Sequence, residues 1–383
     1  MNFQKSELQV ELSALAKKWA REKLAPLVDQ DERDERFRPE LIASLGELGL
    51  TGIPIEERYG GAGLGYLEST AVLEEIAAVN LGYGISVAVT GLAQVILQEF
   101  GSEEQKQEWI PKLAQGQAIG AFSLSEAGAG SNATSLKTSA VRDGSDYLIS
   151  GTKLWTTQGD SADVLMVMAR TGEEGPKGIS TFIVRKGAPG FSLGKREHKM
   201  GCHTSHTMEL VFDRVRVPES DRVGVEGQGN RVALQALDSG RITIAACAVG
   251  IARSALEVAT QHANEREQFG KAIGEFQGIS FMLADMWTKI EASRLLLQRA
   301  ASLKDAGQPF SHWAAQAKLF ATDTAMQVTT DAVQILGGSG YTQEFPVERH
   351  MREAKMLQIV EGTNQIQRMI LGKTLLKQFR ELL

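Results

Sequence analysis

The stretch FSLSEAGAGSN, residues 122–132, decides the fold. Its glycines invite a dinucleotide-binding reading. That fingerprint needs a strand, a Gly-rich turn and then a helix whose N-terminus receives the pyrophosphate. Here the following residues, ATSLKTSAVRDG, run into another turn and strand instead, so the Rossmann signal is weak. What remains is a loop exposing backbone N–H groups beside the hydroxyls of Ser123, Ser125 and Ser131. A plain β-hairpin loop would need no such cluster of serines, but loops of that kind are common enough that both readings stay open on this stretch alone.

Working outward, residues 119 to about 218 hold short runs rich in β-branched and aromatic residues, among them DYLISGTKLWTT, DVLMVMAR, GISTFIVR and TMELVFDRVRVP. Breaks such as RDGSD and TGEEGPKG separate them, at the spacing of an antiparallel sandwich or barrel. No helix-length segment lies between the strands, which disfavours a parallel βαβ sheet. Upstream, apolar residues recur at helical spacing, with a break near 54–65. Beyond GVEGQGN helical periodicity returns, predicting helices over 231–262, 273–305, 309–335, 346–360 and 365–381, joined by short turns as in a bundle. The expected fold class is α+β: an N-terminal helical domain (1–117), a middle antiparallel β-barrel or sandwich domain (118–229) and a C-terminal four-helix-bundle domain (230–383).

Composition narrows the function classes. A chain of 383 residues is long enough for two or three domains at ~100–200 residues each. A formal charge of −6 gives no electrostatic reason to expect a nucleic-acid or anionic-membrane partner. The opening MNFQKSELQVELSALAKKWAREKL carries Glu7 and Glu11 where a signal peptide needs a basic and then an unbroken apolar run, so it reads as an amphipathic helix. The apolar run ITIAACAVGIA, between Arg241 and Arg253, is shorter than the ~20 residues that span a bilayer and reads as a buried helix. Two cysteines, Cys202 and Cys247, build neither a disulfide framework nor a four-cysteine zinc site. A cytoplasmic protein without membrane insertion is expected. In EHKMGCHTSH, Cys202, His203 and His206 lack a fourth ligand and the paired spacing of a structural zinc site, so no metal is expected.

Several motifs are candidates for chemistry. In LQIVEGTNQIQRMIL (357–371) Glu361 interrupts an apolar pattern; it either marks a solvated turn or is held in a pocket as a base. Thr363 and Asn364 look like the N-cap of the last helix. KLWTTQG puts Trp155 and Thr157 on one strand face, where a tryptophan is more often core than cofactor shelf. NEREQFGKAIGEFQ places Arg266, Phe269 and Gln277 near a helix junction, and Gly337 with Gly338 is either a helix C-cap or a close backbone approach.

Taken together, FSLSEAGAGS, WTT, LDSGR, EREQFG, QILGG and VEGTNQIQ, in this order along a helical, β, helical chain, resemble the acyl-CoA dehydrogenase family of flavoproteins from end to end, and its short-chain and branched-chain members most. The resemblance implies FAD as cofactor and α,β-dehydrogenation of an acyl-CoA thioester to the trans-2-enoyl-CoA. Glu361 then resembles the base that removes the α-proton while the β-hydrogen leaves as hydride to flavin N5. Phe122, Leu124, Ser125, Ser131, Trp155 and Thr157 look like the wall around the isoalloxazine. Arg266, Phe269, Gln277, Gln334 and Gly338 resemble FAD contacts reached across a subunit interface, and Thr363 and Gln365 further FAD contacts. Ser131, Asp238, Arg241 and Gly362 are similar to substrate-side residues. The resemblance also implies a homotetramer and an electron-transfer flavoprotein as electron acceptor.

The chain departs from the family pattern at Asn132, where Asp is common, and at Thr156 and Gln158, in a run that commonly reads Trp-Ile-Thr-Asn. Tyr83 stands where members acting on dicarboxylic acyl groups carry arginine, which disfavours a glutaryl-type substrate. For Glu361 to act as a base near neutral pH, a dry pocket must lift its pKa from ~4.3 toward ~6–7. Ile359, Val360, Ile366 and Met369 are the expected apolar lining, with Arg241 opposing the rise. The rival readings are an acyl-CoA oxidase-type flavoprotein that uses oxygen and a non-catalytic scaffold of the same fold.

Overall fold

The computed structural model describes residues 4–382. Helices α1 (Glu7–Trp19), α2 (Val28–Arg33), α3 (Pro39–Glu47), α4 (Tyr66–Val79), α5 (Leu81–Phe100) and α6 (Glu103–Ala114) come first. Their starts are written locally: Ser6 and Gln9 form a capping box on α1, Ser102 and Gln105 another on α6, and Asn80 accepts the Tyr83 N–H at the head of α5. Such caps satisfy backbone donors that have no partner inside the helix.

The middle region folds as strands β1 (Gly120–Ser123), β2 (Ser139–Asp143), β3 (Asp146–Thr157), β4 (Val164–Arg170), β5 (Ile179–Arg185), β6 (Phe191–Arg196), β7 (Thr207–Pro218) and β8 (Arg222–Val223). The sheet order is β6-β7-β3-β2-β4-β5-β8, with β1 beside β4. Most pairings are antiparallel, as expected, but β1 runs parallel to β4 from Gly120↔Val164 to Ser123↔Val167. The crossover between these two is the β2–β3 hairpin rather than a helix, so no helical period betrays it in the sequence. β4 and β5 are buried along almost their whole length, as strands covered on both faces must be.

The remainder is helical: α7 (Gly229–Glu265), a short hairpin of β9 (Glu267–Gln268) and β10 (Lys271–Ala272), α8 (Gln277–Asp305), α9 (Ser311–Leu336), α10 (Val347–Leu357) and α11 (Asn364–Leu382). By length and composition α5 and α7 would suffice to cross a bilayer, longer than the short apolar run alone suggests. Most of their apolar residues are instead buried in protein. Residues 242–252 of α7 are buried almost all round, against α4, α5, α8 and α9, which explains why that stretch shows no polar face. Packing α4 and α5 on α7 joins the first helical region to the bundle and leaves a cavity between them.

Candidate active site

Helix α10 ends at Leu357, α11 begins at Asn364, and Glu361 sits in the turn between them. Glu361 and Gly362 both adopt left-handed backbone, with φ of 55° and 85°. For a glutamate this costs on the order of 1–3 kcal/mol and persists only when its surroundings impose it. Those surroundings are explicit. Gln367 Nε2 donates to the carbonyls of Glu361 (3.2 Å) and Gly362 (2.8 Å), and Arg241 Nε donates to the Glu361 carbonyl (3.4 Å). Lys318 Nζ donates to the Gly362 carbonyl at 3.0 Å. Thr363 caps α11, its hydroxyl accepting the Ile366 N–H; Asn364 is already in the helix.

The turn aims the Glu361 side chain back at α5 and α7. A Cβ added at Gly240 would lie 3.0 Å from Glu361 Cδ and Oε2 and 3.0 Å from Leu92 Cδ2, so a larger residue at 240 would press on the carboxyl. Glu361 Oε2 is buried and has no hydrogen-bond partner. Burial raises the pKa to about 7, and the charges of Arg241 and Lys318 oppose the rise without cancelling it. Desolvation therefore wins the contest with Arg241 that the sequence left open. The apolar wall is not the expected one, however: Ile359 is 54% exposed and Met369 48% exposed. Val360 and Ile366 are half-buried, Val360 against the bundle core, and Gly240 and Leu92 from distant helices lie beside the carboxyl.

Asp238 pairs with Arg241 one helical turn away. Burial raises the Asp238 pKa, with Arg241 opposing. Leu92 and Gly240 also line a narrow cavity of about 30 Å³, together with Tyr66, Leu73, Val95 and Thr243 among others. Asp238, Arg241, Glu361, Gly362, Thr363 and Gln365 thus belong to one region. Tyr83 does not. It is fully buried against Phe37, its hydroxyl accepts the Arg38 N–H at 2.9 Å, and it does not line that cavity.

On the β domain, Phe122 lies in β1 and Leu124 follows its end, and the Ser125 carbonyl accepts the Leu154 N–H. The alternation along β3 breaks at a bulge between Lys153 and Thr156. Trp155 lies in it with a φ of 61° and is 59% exposed, so it is not core. Thr156 turns inward to Ser123 (2.9 Å) while Thr157 is half-buried. Gln158, just past β3, is buried and donates to Ser86 Oγ (2.5 Å), tying that end of the strand to α5. Asn132 accepts from Thr134 and opens a 3₁₀ turn, and Ser131 is exposed. An outward aromatic beside a loop whose Gly128 and Gly130 face open space suits a planar cofactor ring.

Lys153 underpins that loop. Fully buried, it donates to the Leu124 carbonyl (2.9 Å) and pairs with Glu126 (2.8 Å), which also accepts the N–H groups of Lys137 and Thr138. Burial lowers the Lys153 pKa to about 8 against the pull of Glu126. Lys153→Met is expected to lower stability by ~1–3 kcal/mol and reduce retention of FAD on gel filtration. Unchanged retention would mean the loop is held by other contacts.

Arg266, Phe269, Gln277, Gln334 and Gly338 lie apart from this region. They gather where α7 ends, α8 begins and α9 ends; all are exposed, and Phe269, at φ 54°, is 94% exposed. Gly337 is the C-cap of α9, with no neighbour a Cβ would meet. The histidines of the suspected metal loop are engaged within the protein: His206 with Asp160 and the Glu35 carbonyl, His203 with the carbonyls of Glu32 and Lys199. Among the described residues no group of His, Cys, Asp and Glu side chains is placed to hold a metal. Sequence reasoning missed Lys318, Gln367, Leu92 and Gly240, which position or enclose Glu361.

Comparison with known proteins supplies the context for this arrangement. Residues 6–117 match the acyl-CoA dehydrogenase N-terminal domain model, 121–215 the middle domain and 227–376 the C-terminal domain. An acyl-CoA dehydrogenase of Bacillus subtilis (strain 168) is 45% identical over 96% of this chain and 98% of its own. The solved butyryl-CoA dehydrogenase of Megasphaera elsdenii is 44% identical, with a TM-score of 0.97 over 98% of this chain and all of its own. A glutaryl-CoA dehydrogenase of Mycobacterium smegmatis solved in complex with FADH2 is 33% identical, with a TM-score of 0.92 over 97% of this chain and 95% of its own. With all three domain models matched in order and relatives similar from end to end, the chain belongs to the acyl-CoA dehydrogenase family.

Proposed function

We infer that this protein is an FAD-dependent acyl-CoA dehydrogenase that oxidises a short- or branched-chain acyl-CoA thioester to the trans-2-enoyl-CoA, with Glu361 as the base. One observation carries the assignment of the base: a buried carboxyl oxygen without a partner, against Gly240 and Leu92 at the wall of an apolar cavity. A structural glutamate at that depth would be paired. The α-proton next to a thioester is a poor acid, so its removal needs a base with a pKa near the working pH and in contact with the carbon. FAD, when bound, supplies the acceptor for the β-hydrogen.

The rest of the site serves placement. Gln367, Arg241 and Lys318 hold the backbone of the base, and Asp238 holds Arg241. Phe122, Leu124, Ser125, Trp155 and Thr157 would hold the flavin ring, with Ser131 on the substrate side of the loop. The cavity has room for only a few water-sized groups, which favours a short acyl chain. Relatives acting on short chains, such as the Megasphaera elsdenii enzyme, support the same substrate class.

Arg266 lies 25 residues beyond Arg241 on α7, roughly 37 Å at 1.5 Å per residue. One flavin ring cannot lie beside Arg241 and Arg266 at once. A second copy bringing Arg266, Phe269, Gln277, Gln334 and Gly338 to the cofactor, within a homotetramer, accounts for their exposure. Similarity to a chain from a structural study of the electron transferring flavoprotein of Acidaminococcus fermentans, 46% identical, supports an electron-transfer flavoprotein as acceptor. Free buried Cys202 and Cys247 fit a reducing cytoplasm.

The test is anaerobic mixing of the purified yellow protein with butyryl-, isobutyryl-, octanoyl- and palmitoyl-CoA while following visible flavin absorbance. Bleaching by the short or branched thioesters, at least ~10-fold faster than by palmitoyl-CoA, is the expected result. No bleaching by any of them, with FAD bound, would defeat the reading.

A further inference from the structure

Lys318 lies on α9 among Ala314, Ala315, Ala317 and Ala321 and is fully buried. Its ammonium donates to the Gly362 carbonyl (3.0 Å) and to Asn364 Oδ1 (2.7 Å). Asn364, at the first turn of α11, is fixed in turn by Thr322 (2.9 Å) and by Asp323 (2.6 Å). An isolated ammonium costs several kcal/mol to bury, so a lysine is an expensive way to fill this space. Glutamine or methionine would fill it without a charge. We propose that Lys318 is a positioning residue for the Glu361 turn, holding Glu361 and Gly362 in left-handed backbone and supplying the buried positive charge that sets how readily the Glu361 carboxyl ionises.

The proposal rests on the reading of Glu361 as the base and adds a second group that controls it. Arg241, the other cation near the carboxyl, is paired with Asp238, so Lys318 is the cation there that lacks a full carboxylate partner of its own. The charged groups facing the cluster are Asp238 and Arg241 from α7, Asp323 from α9 and Arg368 from α11, the last paired with Asp323 at 2.7 Å. Burial lowers the Lys318 pKa to about 7, with Glu361 and Asp323 opposing and Arg241 reinforcing the fall. Each group thus favours the charged form of the other.

The experiment uses the FAD-loaded enzyme. Lys318→Gln keeps a hydrogen-bond donor and removes the charge; Lys318→Met removes both. The Glu361 carboxyl is titrated by infrared difference spectroscopy against Glu361→Gln, and the pH profile of anaerobic flavin reduction is recorded alongside. Loss of a nearby cation should raise the carboxyl midpoint by about one pH unit in both variants. The rising limb of the rate profile should move with it, and the rate should recover at high pH in Lys318→Gln. An unmoved infrared midpoint, with only a lower rate or FAD content at every pH, would overturn the proposal and leave Lys318 a packing residue. Should neither variant fold, Asp323→Asn removes a half-exposed carboxylate that favours the Lys318 charge; a smaller shift in the same direction supports the proposal and no shift overturns it. Because the infrared titration reads Glu361 whether or not it is the base, a failure here is distinct from a failure of the base assignment, which shows as normal flavin reduction in Glu361→Gln.

Discussion

Glu361→Gln is expected to retain FAD, bind acyl-CoA and reduce its flavin about 10²–10⁴-fold more slowly than the wild type, the range typical of a lost general base. The substitution preserves shape, so Gly240 and Leu92 keep their contact and the carbonyls of 361 and 362 keep their donors. Wild-type flavin reduction should rise with pH through about 7, where the carboxyl loses its proton. The stability effect has the opposite sign. A carboxyl whose pKa is raised in the folded protein, from 4.5 to about 7, contributes its full share of stability below 4.5 and loses it as pH rises through 7. Glu361→Gln should therefore melt at a higher temperature than the wild type at pH 8, with the gap closing by pH 4.5. Stopped-flow absorbance and thermal melts at the two pH values check both parts. A variant that reduces its flavin at the wild-type rate would remove Glu361 from the chemistry.

The legibility of this site in the sequence follows from how local each signal is. Helices α7 to α11 and the strands of the β domain announce themselves through periodicity and turn residues, because their contacts repeat along the chain. Glu361 stood out as a charge inside an apolar pattern. Its lining did not, since the neighbours that desolvate it are Leu92 and Gly240, more than a hundred residues away. Trp155 misled because a one-residue bulge in β3 breaks the period-two rule that a sequence reading assumes. The parallel placement of β1 beside β4 is a pairing choice with no local mark. Lys318 left a trace that went unread: a lone lysine on a helix face otherwise made of alanines, where a cation must have partners brought by the fold. At the far end of α7, Arg266 taken by itself reads as a solvated charge, and it is exposed in the single chain. The family resemblance, not any local pattern, groups Arg266 with Phe269, Gln277, Gln334 and Gly338.

Glu74→Leu is expected to destabilise the protein by about 3 kcal/mol, toward the lower end of the range for breaking a buried ion pair. Glu74, on α4, is 4% exposed and bonds Arg253 of α7 (3.0 Å) and Arg294 of α8 (2.9 Å), so one carboxylate joins the first helical region to two helices of the bundle. Burial alone would raise its pKa, but the hydrogen bond and charge of Arg294 and the charge of Arg253 outweigh that and leave it below 4.5. This group's contribution is therefore present above 4.5 and lost as pH falls through its folded value. Removing the carboxylate leaves two arginines with fewer partners; Glu75 and Glu257 still meet Arg253, and Glu291 still meets Arg294, which keeps the cost from reaching the upper end. Restoring charge balance with Glu74→Leu/Arg294→Met should recover part of the loss, because an apolar replacement of a buried pair is often nearly neutral. Denaturant midpoints of the wild type, the single and the double variant decide the matter, and a single variant as stable as the wild type would sink it. The consequence reaches the site. Tyr66 and Leu73 of α4 and Gly240 and Thr243 of α7 face each other across the cavity, so the charge cluster that clamps α4 to α7 also fixes the width of the space beside Glu361. The single variant should accept octanoyl-CoA relative to butyryl-CoA more readily than the wild type does, even at a pH and temperature where it is fully folded.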